Sequence, residues 1–182
     1  MAKPSSSKPS GTKQRIQTAA RELFTSKGVR NTSLQEIADR LGITKPALYY
    51  HFSSREELVR SIVQPLIDEG EAFLVAQEAL DEVAPRALFE EYFDFHYRHR
   101  ELIVLIMSEL TTLSELGLIR IVLAWRERLA ALLTGPDPSL ALSARAVVAL
   151  GGIQDCTVQF PDVPADDLRK ATVDAACAAL GV

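Results

Sequence analysis

From residue 12 onward, apolar positions recur at helical intervals. Ile16, Ala20, Leu23 and Phe24 fall at i, i+4, i+7 and i+8, which is one face of a helix. Lys27 and Gly28 end it, because a cation suits a helix C-terminus and glycine accepts the left-handed stop. Thr32 or Ser33 then offers an N-cap, with Gln35 or Glu36 three residues on to complete a capping box. Leu34, Ile37, Ala38 and Leu41 give this second helix its apolar face, and Gly42 closes it. Thr44 caps a third helix, with Pro46 in the first turn, where a missing N–H costs nothing. Ser53 and Ser54, followed by Glu56 and Glu57, open a fourth in the same way. Leu58, Ile62, Leu66 and Phe73 carry that helix on, and Pro65 is expected to kink it.

The same periodicity predicts helices over 85–99, 101–113, 115–134, 139–160 and 166–180. Leu88, Tyr92, Phe95 and His96 share one face of the first of these, and Leu116, Ile119, Leu123, Trp125 and Leu129 mark the third. Gly135-Pro136-Asp137-Pro138 is a clear break, and Pro161 and Pro164 separate the last two segments. Both of those are rich in alanine, and Gly151-Gly152 inside the first suits close helix–helix approach. Nothing alternates like a strand, repeats, or sustains a heptad. The expectation is an all-α fold of about nine helices: an N-terminal three-helix helix-turn-helix domain followed by a C-terminal helical bundle. The division runs as an arm over 1–11, a head over 12–58 and a body over 59–182.

Charge sharpens this division. Residues 1–60 hold eleven Lys/Arg against five Asp/Glu, a net +6, whereas 61–182 carry nine against nineteen, a net −10. A basic head on an acidic body points to a polyanion held at one end and a different task at the other. Two cysteines, Cys156 and Cys177, are too few for a disulfide scaffold and have no metal-type spacing. The run LIVLIM at 102–107 is far short of the roughly 18 apolar residues of a membrane span. The first residues carry lysines without an apolar stretch behind them, unlike a secretory signal. The expected location is the cytoplasm, with no membrane association.

The most informative stretch is LGITKPALYYHF, residues 41–52. A tight turn at Gly42-Ile43 joins two short helices, which is the layout of a helix-turn-helix. In that layout the second helix enters the major groove by its N-terminal end. Thr44 and Lys45 then suit phosphate or a guanine edge, and Pro46 and Ala47 offer apolar surface to a thymine methyl. Tyr49, Tyr50 and His51 are consecutive and span about 300° of a helix, so they cannot all face the core. Phe52 is expected to turn inward. For Tyr50, packing and phosphate contact remain equal readings. Arg55 opposes the dipole at the start of the fourth helix, which a nearby phosphate would explain. Lys3, Lys8 and Lys13 suit either an arm that grips DNA or a merely solubilising tail.

The run TSLQEIADRLGITKPALYYHFSSREEL, residues 32–58, strongly resembles the DNA-binding domain of the TetR family of bacterial transcriptional regulators. With Ile16–Phe24 and Gly28 the resemblance covers about the first third of the chain. It implies a homodimeric, all-α repressor of double-stranded DNA whose body binds a small-molecule inducer and dimerises through its last two long helices. Carried over position by position, the DNA contacts fall on Thr32 or Ser33, Thr44, Lys45, Pro46, Ala47, Tyr49, Tyr50, His51 and Arg55. Ala47 departs from the polar residue or glycine that many members have there, which makes any base readout at that point apolar or absent.

In the body, Tyr92, Phe95, His96, Met107, Trp125, Gln154, Asp155 and Phe160 are mostly apolar with a few polar members, as a ligand cavity would be. Each is also a reasonable core residue. His96 and His99 are spaced for a shared metal, but no cysteine or carboxylate cluster accompanies them, so neither a metal nor a cofactor is expected. The sequence has no glycine-rich phosphate loop, no G-x-S-x-G and no H-E-x-x-H, and an enzyme is not expected. The alternative to a regulator is a helical protein-interaction adaptor whose helix-turn-helix no longer binds DNA.

Overall fold

The computed structural model describes residues 10–108, 114 and 117–182. The expected basic arm lies almost wholly outside these residues. The described chain forms eight helices: α1 (Ser10–Lys27), α2 (Leu34–Leu41), α3 (Lys45–His51), α4 (Arg55–Glu78), α5 (Pro85–Met107), α6 (Leu118–Thr134), α7 (Leu140–Gln159) and α8 (Ala165–Leu180). Contacts group them into two units, 1–65 and 66–182, and the division falls at Pro65 inside α4.

In the first unit, Ile16, Ala20 and Phe24 of α1, Ile37 and Ala38 of α2, Leu48 of α3 and Leu58 of α4 are buried. The helices α2, α3 and α4 each begin where a hydroxyl satisfies an orphan amide. The Ser33 amide donates to Glu36 at 2.8 Å, and the Glu36 amide donates to the Ser33 hydroxyl at 3.1 Å, which completes the capping box. The Glu57 amide donates to Ser54 at 3.1 Å at the head of α4. The α2–α3 turn is equally determined. Gly42 sits at φ 66°, ψ 30°, its amide donating to Asp39 O, while the Ile43 amide reaches Ala38 O at 3.0 Å. This paired arrangement needs a left-handed residue, which glycine adopts without a Cβ penalty.

In the second unit, α7 and α8 pack along each other and α5 packs against both. The core joins Leu74, Leu88, Phe89, Tyr92, Phe93, Leu129, Leu150 and Ile153 to Leu168, Val173 and Leu180. Ala146, Ala149 and Ala176 contribute small buried surfaces that let the backbones approach.

Several expectations are corrected. The helices predicted over 85–99 and 101–113 are one continuous α5 as far as Met107, because neither Arg100 nor Glu101 breaks a helix; residues 109–113 lie outside the described part. That merger leaves eight helices among the described residues where about nine were expected. The helix predicted from 115 begins at Leu118, after Gly117 in the left-handed region at φ 73°; residues 115 and 116 lie outside the described part. Within it the inward stripe runs through Leu118, Trp125 and Leu129, whereas Ile119 and Leu123 are exposed. This helix is apolar on more than one side, so periodicity alone picked the wrong face. Gly152 has open space where a Cβ would stand, so it serves no close approach within this chain.

Candidate nucleic-acid interface and effector site

The α2–α3 geometry makes α3 a presenting helix. Leu48 and Phe52 are buried and anchor it, while Tyr49 is 44% and Tyr50 85% exposed. Lys45, Pro46 and Ala47 are exposed beside them. The Thr44 hydroxyl accepts from the Ala47 amide at 3.3 Å and so fixes the first turn. Lys45 Nζ lies 5.9 Å from the Tyr49 ring, and Tyr50 meets His51 edge-on at 5.3 Å. Neighbouring cations are partly neutralised: Lys27 pairs with Glu36 at 2.8 Å and Arg40 pairs with Glu22. Lys45 has no carboxylate partner among the described residues, which leaves α3 the positive end of an aromatic surface.

Two of the sequence-selected residues have internal duties. Thr32 is only 1% exposed; its hydroxyl donates to Gly28 O at 2.9 Å and its amide to Val29 O at 3.3 Å. It is a joint between α1 and α2, and only Ser33 of that pair reaches the surface. Arg55 donates through Nη1 to Val29 O at 3.2 Å and Arg30 O at 3.1 Å, and its Nε is buried without a partner. Two loop carbonyls therefore account for a cation at the start of α4, and sequence spacing gave no sign of that bond across 25 residues.

In the second unit, Tyr92, Phe95 and His96 do come together. Tyr92 and His96 meet edge-to-face at 4.4 Å, Phe95 and His96 at 5.4 Å, and Trp125 stands edge-on to Phe95 at 6.5 Å. Phe73 stacks on both Tyr92 and Phe95. Met107 and Asp155 are exposed, Gln154 is half-buried, and Phe160 is 49% exposed, so none of the four joins this aromatic group. Burial, with the charges of Arg126 and His99, pushes the His96 pKa down to about 3. Its Nδ1 is buried without a partner. Burial likewise pushes Tyr92 up to about 12, opposed by Arg126 and reinforced by Asp155.

Sequence reasoning missed how tightly α6 is held to α4. Trp125 Nε1 donates to Glu71 at 2.9 Å, and Arg128 clamps Glu78 with two bonds of 2.7 and 2.8 Å and Glu71 with a third of 2.7 Å. These bonds hold the Glu71 and Glu78 carboxyls below their ordinary range, Arg128 being the main cause in each. The indole fits because residue 70 is glycine: a Cβ there would stand 2.3 Å from the Trp125 ring. His99, the other histidine of the suggested metal pair, contacts Glu69 at 2.9 Å instead.

The head matches known proteins along its length. Residues 16–62 fit the family model of bacterial regulatory proteins, tetR family. The chain is 36% identical over 74 residues to the transcriptional regulator TtgR of Pseudomonas putida, covering 41% of this chain and 35% of that one. It is 31% identical over 68 residues to the transcriptional repressor KstR2 of Mycolicibacterium smegmatis, covering 37% and 33%. The chain thus spans about a third of the length of the curated relatives it matches. Its fold extends further: a transcriptional regulator from Aquifex aeolicus superimposes with a TM-score of 0.75 over 91% of this chain and 97% of that one, at 23% identity. The capped helix-turn-helix within residues 16–62 is thus similar to that of bacterial regulatory proteins of the tetR family, and the likeness to the Aquifex aeolicus structure extends over the fold of the chain.

Proposed function

We propose that this protein is a ligand-responsive transcriptional repressor that binds a palindromic operator in double-stranded DNA as a homodimer. The observation that carries this reading is α3: a capped, anchored helix exposing Lys45, Tyr49 and Tyr50 together. Residues 12–58 are the reading head and 59–182 the body. Ser33, Thr44, Lys45, Pro46, Ala47, Tyr49, Tyr50 and His51 meet DNA, and Arg55 contributes what its guanidinium has left after holding the loop. Two recognition helices in a dimer would sit about 34–36 Å apart.

Dimerisation through α7 and α8 is supported by the apolar residues that α7 leaves exposed, Leu140, Val147 and Val148, together with Val182 just beyond α8. The effector binds near Tyr92, Phe95, His96 and Trp125, and shifts α4, which runs from the head into the body. It acts by binding the DNA-incompetent state better. The working compartment is the cytoplasm, in keeping with the absence of any described helix long and apolar enough to cross a membrane.

The test is capture of source-genome fragments by the purified full chain, sequenced at low and moderate salt. An enriched palindrome whose capture falls steeply with salt is expected, because phosphate contacts release counterions. Lys45→Ala should lower affinity on every sequence and reduce the salt slope by about 1. A folded dimer that enriches nothing, or binds without salt dependence, would instead make the chain a helical interaction adaptor.

A further inference from the structure

The arginines on α6 are treated very differently. Arg128 meets two carboxylates through three bonds. Arg126, two residues earlier and on another side of the helix, is half-buried and has no ion pair or side-chain hydrogen bond among the described residues. Its Nη2 lies against α7, 3.0 Å from where a Cβ on Gly151 would stand. Its charge reaches Tyr92 and His96 of α5, opposing the upward shift that burial gives Tyr92 and adding to the downward shift that burial gives His96. Asp155, one turn beyond Gly151, also reaches Tyr92, yet it is exposed and makes no ion pair with Arg126. A half-buried cation with no counterion among the described residues is a costly arrangement unless another group meets it.

The second observation is independent. His96 is 8% exposed and its Nδ1 has no partner, while the ring is walled by Tyr92 and Phe95. Buried polar nitrogens are almost always satisfied, and Trp125, the neighbour of Arg126 on α6, meets the same aromatic group through Phe95, so one missing group would serve both the orphan nitrogen and the cation. A cationic ligand would be repelled by Arg126. A neutral one would leave that charge bare.

We propose that the effector of the body is an apolar molecule bearing one carboxylate, which the Arg126 guanidinium and the His96 ring N–H hold against Tyr92, Phe95 and Trp125. This rests on the ligand-responsive reading above and gives it a ligand class. Neutral His96 can present an N–H, and the fork of Arg126 matches a carboxylate in two parallel bonds. The aromatic rings take the apolar remainder.

The experiment titrates the full chain with decanoate and 3-phenylpropanoate, each beside its primary amide. Calorimetry and the emission of Trp125, the only tryptophan in the sequence, report binding. At least one acid should bind about ten-fold or more tightly than its amide, the scale of one charge-assisted bond. Arg126→Gln should erase that preference and leave amide binding within about two-fold, while Arg126→Lys retains part of it. His96→Phe should weaken the acid and spare the amide. Equal affinity for acid and amide, no binding of either acid, or an undiminished preference in Arg126→Gln overturns the proposal. Should Arg126→Gln not fold, Arg126→Met at the same position and the His96→Phe series decide it by the same ratio. Capture of genomic DNA without any probe is measured alongside. Loss of DNA binding with the acid preference intact would sink the regulator reading alone, and DNA binding with no acid preference would sink this inference alone.

Discussion

The head and the body begin their helices in different ways. In the first unit α2, α3 and α4 each start at a hydroxyl that caps an amide, at Ser33, Thr44 and Ser54. In the second, α5, α6 and α8 follow Ala84, Gly117 and Pro164, none of which provides a side-chain cap, and only α7 has one, at Ser139. The head holds two short helices, α2 of 8 and α3 of 7 residues, whose ends are specified locally. The body is a set of long helices whose ends are left to packing, which can outweigh local preference once an apolar face is buried. A reading head must hold a few side chains in a fixed register. Under the proposed function, a body that answers a ligand would gain from ends and faces less firmly fixed.

The widest separation should appear when packing itself is cut. Phe89 is fully buried in the core of the body, so Phe89→Ala should cost about 3–5 kcal/mol. Denaturant melts of the full chain, with Trp125 reporting the body and far-ultraviolet dichroism the whole, should show the body transition moving to lower denaturant. A loss below about 1 kcal/mol would mean that the body core repacks and that its ends are not set by packing.

The matching cut in the head is at the turn. Gly42→Val places a β-branched residue at φ 66°, in the left-handed region, and should cost about 1–2 kcal/mol or more in the first unit. Space is no obstacle, since nothing lies within 4 Å of a Cβ there, so the loss would report backbone conformation alone. An unchanged head, by hydrogen exchange of the α2 and α3 amides, would show that the turn does not depend on glycine.

This contrast explains what the sequence made legible. The capping box, the glycine turn and the burial of Leu48 and Phe52 were all readable, because each rests on residues within about four positions of one another. The merged α5 and the mistaken face of α6 were not. Arg100-Glu101 bears no stop signal, and Ile119 and Leu123 compete with Leu118 and Trp125 for the same stripe. The residues Tyr92, Phe95, His96 and Trp125 could be picked out as a mostly apolar set but not as a geometry, since Trp125 joins the group from another helix and depends on the glycine at 70. Met107 and Asp155 share the residue types of a lining and yet face outward. Thr32 and Arg55 matched the pattern of DNA contacts, but their bonds to distant carbonyls could not be read from spacing.

The smallest effect tests whether the head's local code acts as a unit. Glu36 has its carboxyl lowered from 4.5 to about 2, first by Lys27 and then by the Ser33 amide and hydroxyl. A carboxyl depressed by folding contributes stability that is fully present above about pH 4.5 and is lost as pH falls through the folded value near 2. Glu36→Gln should therefore lower the stability of the first unit at neutral pH, with the gap to the unmodified chain closing as pH falls through that window. Ser33→Ala removes the cap itself and should cost about 1 kcal/mol at neutral pH. It should also raise the Glu36 pKa, because two of its three stabilising partners act through the geometry of Ser33. Carboxyl titration by NMR in the Ser33→Ala chain measures this directly. A Glu36 pKa still near 2 would show that Lys27 and the residue-33 amide hold it down without the hydroxyl. The capping box would then be an ordinary surface ion pair beside a helix end, and the head would owe less to its local code than its caps suggest.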